Sequence, residues 1–151
     1  MKEKGIVLCV DWNNLNKLIV SGSEDCCYRV FDENGNFLHE SSSLRCVVTC
    51  VSWQPRGCNF TIGSHGHLHL CDESGFIHDQ IQLEIGSIFK ISWSSDAMQF
   101  ACSCEDGSVI LSDLVGDITY RGDLTFYQKG SHQIEVRRSG ERDVQLLDFP
   151  A

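Results

Sequence analysis

A chain of 151 residues that is 42% hydrophobic is long enough to bury a core and is not compositionally disordered. Its formal net charge of −9 speaks against a nucleic-acid partner, because phosphate binding needs concentrated Lys and Arg. The charge is uneven: residues 1–113 carry seven basic and fifteen acidic side chains, and residues 114–151 carry five and six. This excess reads as a solvated acidic rim.

The first apolar run, Gly5–Val10, ends at Asp11 after six residues. That is too short for the apolar region of a signal peptide and far too short to span a bilayer, so no membrane insertion is expected. Nine cysteines form an odd set with no export signal beside them. They predict reduced thiols in an intracellular protein rather than a disulfide framework. Cys26 and Cys27 are adjacent, and Cys102 and Cys104 share one strand face, so neither pair suits a relaxed disulfide.

In chain order, the first predicted strand is "IVLCVDW", with Leu8, Val10 and Trp12 on one face. The turn "NNLNK" leads to "LIVSGSED", then "CCYRVFD", a Gly-containing turn, and "FLHES". The series then repeats as "VVTCVSW", "QPRGC", "FTIGSH", "HLHLCD" and "FIHDQIQL", and again as "SIFKISW", "SSDAM", "FACSCEDG" and "SVILSD". Trp12, Trp53 and Trp93 stand 41 and 40 residues apart, and Asp32, Asp72 and Asp113 stand 40 and 41 apart. The distances from Trp to Asp are 20, 19 and 20, so the middle unit lacks one residue.

No segment has a helical period. Four short strands per unit of about 40 residues, with turns every eight to ten residues, predict an all-β chain of β-propeller blades. The units fall at about 5–45, 46–86, and 87–113 plus a following strand. Residues 114–151 hold the strand-like pieces "LTFYQ", "HQIEV" and "VQLLDF" and read as a partial further blade or a truncated tail.

The most metal-like stretch is "GSHGHLHLCD", in which His65, His67, His69 and Cys71 alternate. In the repeat register, His67 aligns with Cys27 and Ser108, His69 with Arg29 and Ile110, and Cys71 with Phe31 and Ser112. The stretch therefore reads as a third strand with leucines on its inner face and imidazoles on its outer one. A zinc site needs three or four ligands about 2.0–2.3 Å from one point. Along one strand the first and fifth residues are roughly 13 Å apart, so a neighbouring strand would have to contribute. A small metal-binding protein using His67, His69 and Cys71 is the alternative reading. No metal and no cofactor are expected.

No G-x-x-x-x-G-K-[ST] loop, H-E-x-x-H helix, G-x-S-x-G elbow or H-x-E…P-C-x-x-C pattern occurs. The Cys46, Cys50, Cys58 spacing is irregular for a metal site, and Cys50 falls within a first strand. No catalytic residue is assigned, and a non-enzymatic interaction protein is expected.

The units resemble the WD40 family. Gly22-Ser23-Glu24-Asp25 and Cys104-Glu105-Asp106-Gly107 stand where that family has its "GSxDG" turn. The resemblance implies that Asp25 and Asp106 are turn aspartates and that Trp12, Trp53, Trp93, Asp32, Asp72 and Asp113 are structural signatures. The closing Trp-Asp of the family is Phe31, Cys71 or Ser112 followed by Asp, so the blades are degenerate and must depend mainly on packing between blades.

Residues 4–113 are more specifically similar to the WD-repeat subunits of intraflagellar transport complex B. That similarity implies a scaffold for cilium assembly and ciliary transport. Other complex-B subunits would be its partners, and it would be located in cytoplasm, cilium and basal body. About three and a half blades, each of four short antiparallel strands, fall short of a closed ring. The open edges imply either a fragment of a longer protein, without independent function, or self-association. The turns Glu24–Cys26, His65–Gly66 and Glu105–Gly107 are the candidate partner-facing loops.

Overall fold

The computed structural model describes residues 5–113 and the backbone of three strands at 124–128, 133–138 and 144–148; side chains are described through Ser112. The side chain of Asp113 therefore lies outside the described residues. Among the described residues every regular element is a strand: β1 Val7–Asn13, β2 Leu18–Ser23, β3 Tyr28–Phe31, β4 Phe37–Glu40, β5 Cys50–Trp53, β6 Asn59–Gly63, β7 His65–Asp72, β8 Ile77–Trp93, β9 Gln99–Cys104, β10 Val109–Asp113, β11 Leu124–Gln128, β12 Gln133–Arg138 and β13 Val144–Asp148. The three strand-like pieces expected after residue 113 are thus strands.

The first blade is an antiparallel sheet in the order β1-β2-β3-β4. The others lie in one nine-stranded sheet running from β5 to β13 in sequence order. Its continuity comes from β8. Its first part pairs with β7 (Ile81 opposite Leu68), and its last part pairs with β9 (Ile91 opposite Cys102). Two separate runs were expected here. Gly86, at φ +72°, supplies the bend within the strand that lets one element serve two blades. Beyond the third blade, β11 joins β10 in parallel, and β11-β12-β13 continue as an antiparallel meander.

Side-chain chemistry sets the turns. Asp32 Oδ1 accepts the backbone N–H groups of Asn34 and Asn36 at 2.9 and 2.8 Å, and Asp72 Oδ1 accepts those of Ser74 and Phe76 at 2.9 and 3.0 Å. Each turn then needs a left-handed residue, which Gly35 and Gly75 provide. The β2–β3 turns differ in length. Ser23 N–H bonds Cys27 O, and Cys104 N–H bonds Ser108 O, across three residues; Ser64 N–H bonds His67 O across only two. The residue missing from the middle unit is therefore in this turn. Cys26, Gly66 and Gly107 hold its left-handed position, and no counterpart of Asp25 and Asp106 remains.

Two cores form between blades, not within them. Val20, Tyr28 and Val30 of the first blade meet Val48, Val51, Trp53, Phe60, Ile62 and Cys71 of the second. Cys50, Leu68, Ile81, Leu83 and Ile85 of the second meet Ile88, Ile91, Phe100, Cys102, Cys104 and Ile110 around the third. Each four-stranded sheet has two faces and needs a neighbour on both.

Candidate interaction surface

The face bearing the repeated tryptophan turns toward the preceding blade. Trp53 is 5% exposed and lies 4.8 Å, ring to ring, from Phe60. Trp93 is half-buried and lies 4.9 Å from Phe100, with its indole N–H donating to Ser52 O at 3.2 Å. Trp12 has no blade before it and is 54% exposed, alongside Leu8 and Val10 at 48% and 64%. An identical place in the repeat implies a structural role for all three. The third dimension separates Trp12 from its sisters, because what buries a tryptophan here is the neighbouring blade.

Polar contacts bind the blades at the end carrying the β1–β2 turn and its equivalents. The Asn13 amide donates to Gln54 O at 2.8 Å, and the Gln54 amide donates to Ala97 O at 2.8 Å. Asp11 Oδ2 accepts the Trp53 backbone N–H at 2.6 Å. Asn13 and Gln54 each follow the repeat tryptophan directly, a regularity visible in the sequence once the tryptophans are aligned.

At the opposite end stand the three candidate loops. Asp25 Oδ1 accepts the Cys27 N–H at 3.1 Å, and Asp106 Oδ1 accepts the Ser108 N–H at 2.9 Å. The Arg29 guanidinium, 2.7 Å from Asp25 and 3.0 Å from Glu40, holds the Asp25 carboxyl below its ordinary range. Glu105 accepts the Ser87 N–H at 2.8 Å, which lowers its carboxyl, and His65 Nδ1 lies 3.1 Å from Ser87 Oγ. This Ser-His-Glu grouping lacks the geometry of a nucleophilic triad. The same ring nitrogen, Nδ1, faces both the serine and, at 3.9 Å, the carboxylate, whereas a triad uses the two nitrogens for different partners. The group ties the His65–Gly66 turn to the blade that follows.

The histidine strand is a correction to the expected inner and outer faces. His69 is 2% exposed and Cys71 is fully buried, while Leu70 on the supposedly inner face is only half-buried. Both faces of β7 are covered because blades lie on both sides of it. Burial pushes the His69 imidazole down to about 4 and the Cys71 thiol up to about 12, so both are neutral near pH 7. The rings of His67 and His69 stack with centroids 6.2 Å apart, and His67 Nδ1 is 2.9 Å from His65 O. Among the described residues no group of three or more His, Cys, Asp or Glu side chains could hold a metal ion.

The cysteines are free thiols. Burial raises Cys9 to about 12 and Cys50 to about 11. Each sits opposite a glycine on the next strand, Cys9 opposite Gly22 and Cys50 opposite Gly63. These pairs were missed in sequence, although Cys three before and Gly ten after the tryptophan recur in both units.

Comparison with known proteins agrees with this geometry. Residues 2–32 match the WD40 family (WD domain, G-beta repeat). The chain is 42% identical over 145 residues, 96% of its length, to the intraflagellar transport protein 80 homologs of Rattus norvegicus and Mus musculus. It spans 19% of the length of those relatives. Its fold is similar to a chain in the crystal structure of the mitotic checkpoint complex, with TM-score 0.69, 18% identity, and coverage of 98% of this chain and 55% of that one. It is also similar to the C-terminal WD40 domain of Sif2, with TM-score 0.63, 15% identity, and coverage of 92% and 47%. The chain carries a match to the WD40 repeat at residues 2–32, is built of β-propeller blades, and closely resembles a stretch of intraflagellar transport protein 80.

Proposed function

We propose that this chain is a non-catalytic protein-interaction module of the intraflagellar transport particle. In this reading it contacts other subunits of complex B and acts in cilium assembly, within the cytoplasm, cilium and basal body. The 42% identity to the intraflagellar transport protein 80 homologs over nearly the whole chain carries the reading. A scaffold role is supported by the site chemistry as well: the buried thiols are held protonated and the histidine-serine-glutamate group is arranged as a tie between blades. The test is a pull-down of the tagged chain from ciliated cells, quantified by mass spectrometry against a Trp53→Ala variant with its core broken. Enrichment of complex-B subunits over the variant is the expected result. Equal recovery with both chains would remove the proposal.

A further inference from the structure

We infer that the seam between the outer strands of the first two blades is a docking site for a partner protein segment that sets Arg or Lys beside large apolar side chains. The seam consists of Leu38 and His39 of β4, Phe76 in the turn before β8, and Ile77 at the start of β8. Its occupancy deepens the interaction role proposed above and rests on that reading. The same series of residues occurs in both units. The first has Asp32-Glu33, Gly35 and Phe37-Leu38-His39-Glu40, and the second has Asp72-Glu73, Gly75 and Phe76-Ile77-His78-Asp79. The Asp and Gly make the turn, but folding gains little from the apolar pair that follows. Leu38 is 53% exposed, Phe76 62% and Ile77 39%, and hydrophobic stabilisation comes only from area removed from water. Blades stand on both sides of Phe76 and Ile77, and the two are exposed nonetheless.

The exposed ring is held in place. Tyr28 O–H donates to Gly75 O at 2.6 Å, and the His39 ring lies 6.1 Å from Tyr28 and 5.2 Å from Phe76. A Cβ on Gly75 would strike that His39 ring, and Phe76 N–H donates to Asp72 Oδ1 at 3.0 Å. Two blades thus clamp one turn, and a fixed aromatic ring offers contact area at little ordering cost. Charge selects the occupant. Asp72 is countered by His78 at 3.2 Å, while Lys17 is paired with Glu33, and Arg29 with Asp25 and Glu40. Glu73 and Asp79 are exposed and have no salt bridge among the described residues. A guanidinium or ammonium group laid on Phe76 would meet the ring face and these carboxylates together, a cation–π contact reinforced by the local field. The apolar side chain beside it would cover Ile77 and Leu38, whereas an acidic segment would be repelled.

The test titrates labelled synthetic peptides of alternating Leu-Arg, Ser-Arg and Leu-Glu sequence into the natural chain, read by fluorescence anisotropy. The Leu-Arg peptide should bind, and the other two should bind far more weakly. Phe76→Ser/Ile77→Ser should weaken the Leu-Arg peptide by about tenfold. Phe89→Ser removes a ring that is 59% exposed elsewhere on β8 and should leave binding unchanged. Glu73→Gln/Asp79→Asn alters only exposed carboxylates, so it keeps the fold; it should weaken binding by about threefold and flatten its salt dependence. Equal binding by the natural chain and both double variants overturns the inference, as does equal binding of the Ser-Arg or Leu-Glu peptide. Self-association of the natural chain in sedimentation velocity, abolished by Phe76→Ser/Ile77→Ser, also overturns it, because the occupant would then be a second copy. Failure of the earlier reading would be seen separately, as equal subunit recovery in the pull-down.

Discussion

Trp12 and Trp53 are the same residue in the same register, 41 positions apart, in opposite environments. Trp53 lies in a core with Val20, Tyr28, Val30 and Phe60, and the indole is almost wholly enclosed. Trp12 lies in a strand, β1, but is 54% exposed. Strand formation needed only the local pattern, whereas burial needed a second sheet. In a repeat architecture the stability of a unit resides largely in the contact with its neighbour. The faces of the three blades are thus equal in sequence and unequal in energy.

The sharpest challenge to this contrast is truncation of each tryptophan. Trp53→Ala should cost about 3–5 kcal/mol, the range for a buried aromatic side chain, while Trp12→Ala should change stability by no more than about 0.5 kcal/mol. Urea unfolding of both variants measures this, and equal losses would mean that the Trp12 face is covered in solution.

The glycines opposite Cys9 and Cys50 give the next largest effect. Gly63→Ala drives a methyl into Cys50 and Ile88 and should cost about 1–3 kcal/mol, whereas Ser103→Ala at the equivalent exposed position should be near neutral. Matching losses at the two positions would show that the third blade's far face is packed as the other two are.

A pH titration sharpens the comparison from inside the first interface. The folded His69 pKa, about 4, lies below the unfolded value near 6.5. Between these values the unfolded chain binds the extra proton, so stability falls as pH drops from about 6.5 toward 4. The steepest slope from this one group approaches 1.4 kcal/mol per pH unit. His69→Phe should flatten the dependence in that window, and an unaltered slope would mean that the imidazole is already solvated in the folded chain.

The smallest effect is at Cys26, whose φ of +65° is strained for any residue with a side chain. Cys26→Gly should add about 0.5–1 kcal/mol by thermal unfolding. Gly107→Ala at the equivalent position should remove a similar amount, since both turns have the same left-handed requirement.

Much of the candidate surface was legible because the repeat places equivalent residues at equal spacing. The pieces "LTFYQ" and "VQLLDF" already looked strand-like in the sequence. The turns at Asp32 and Asp72 followed from an aspartate three residues before a glycine, a short-range rule that acts through the aspartate's own backbone. The face of the histidine strand was misread for the opposite reason. Leucine on one side and histidine on the other predicts an inside and an outside, but an inner strand of a propeller blade has no outside. His69 is covered by the blade before it, whatever its polarity. The single long β8 was likewise invisible, because "FIHDQIQL" and "SIFKISW" each look complete, and Gly86 reads as a stop as easily as a bend.

By itself, the sequence determined the period, most of the strands, the capped turns and the resemblance to WD40 repeats, since each depends on residues within one unit of about 40. Only the tertiary structure decided which tryptophan is buried, which glycines are pressed against a neighbouring blade and which tryptophan face is exposed. Those properties depend on the approach of a second sheet, and a pattern repeated along one chain is silent about which of its copies has found a neighbour.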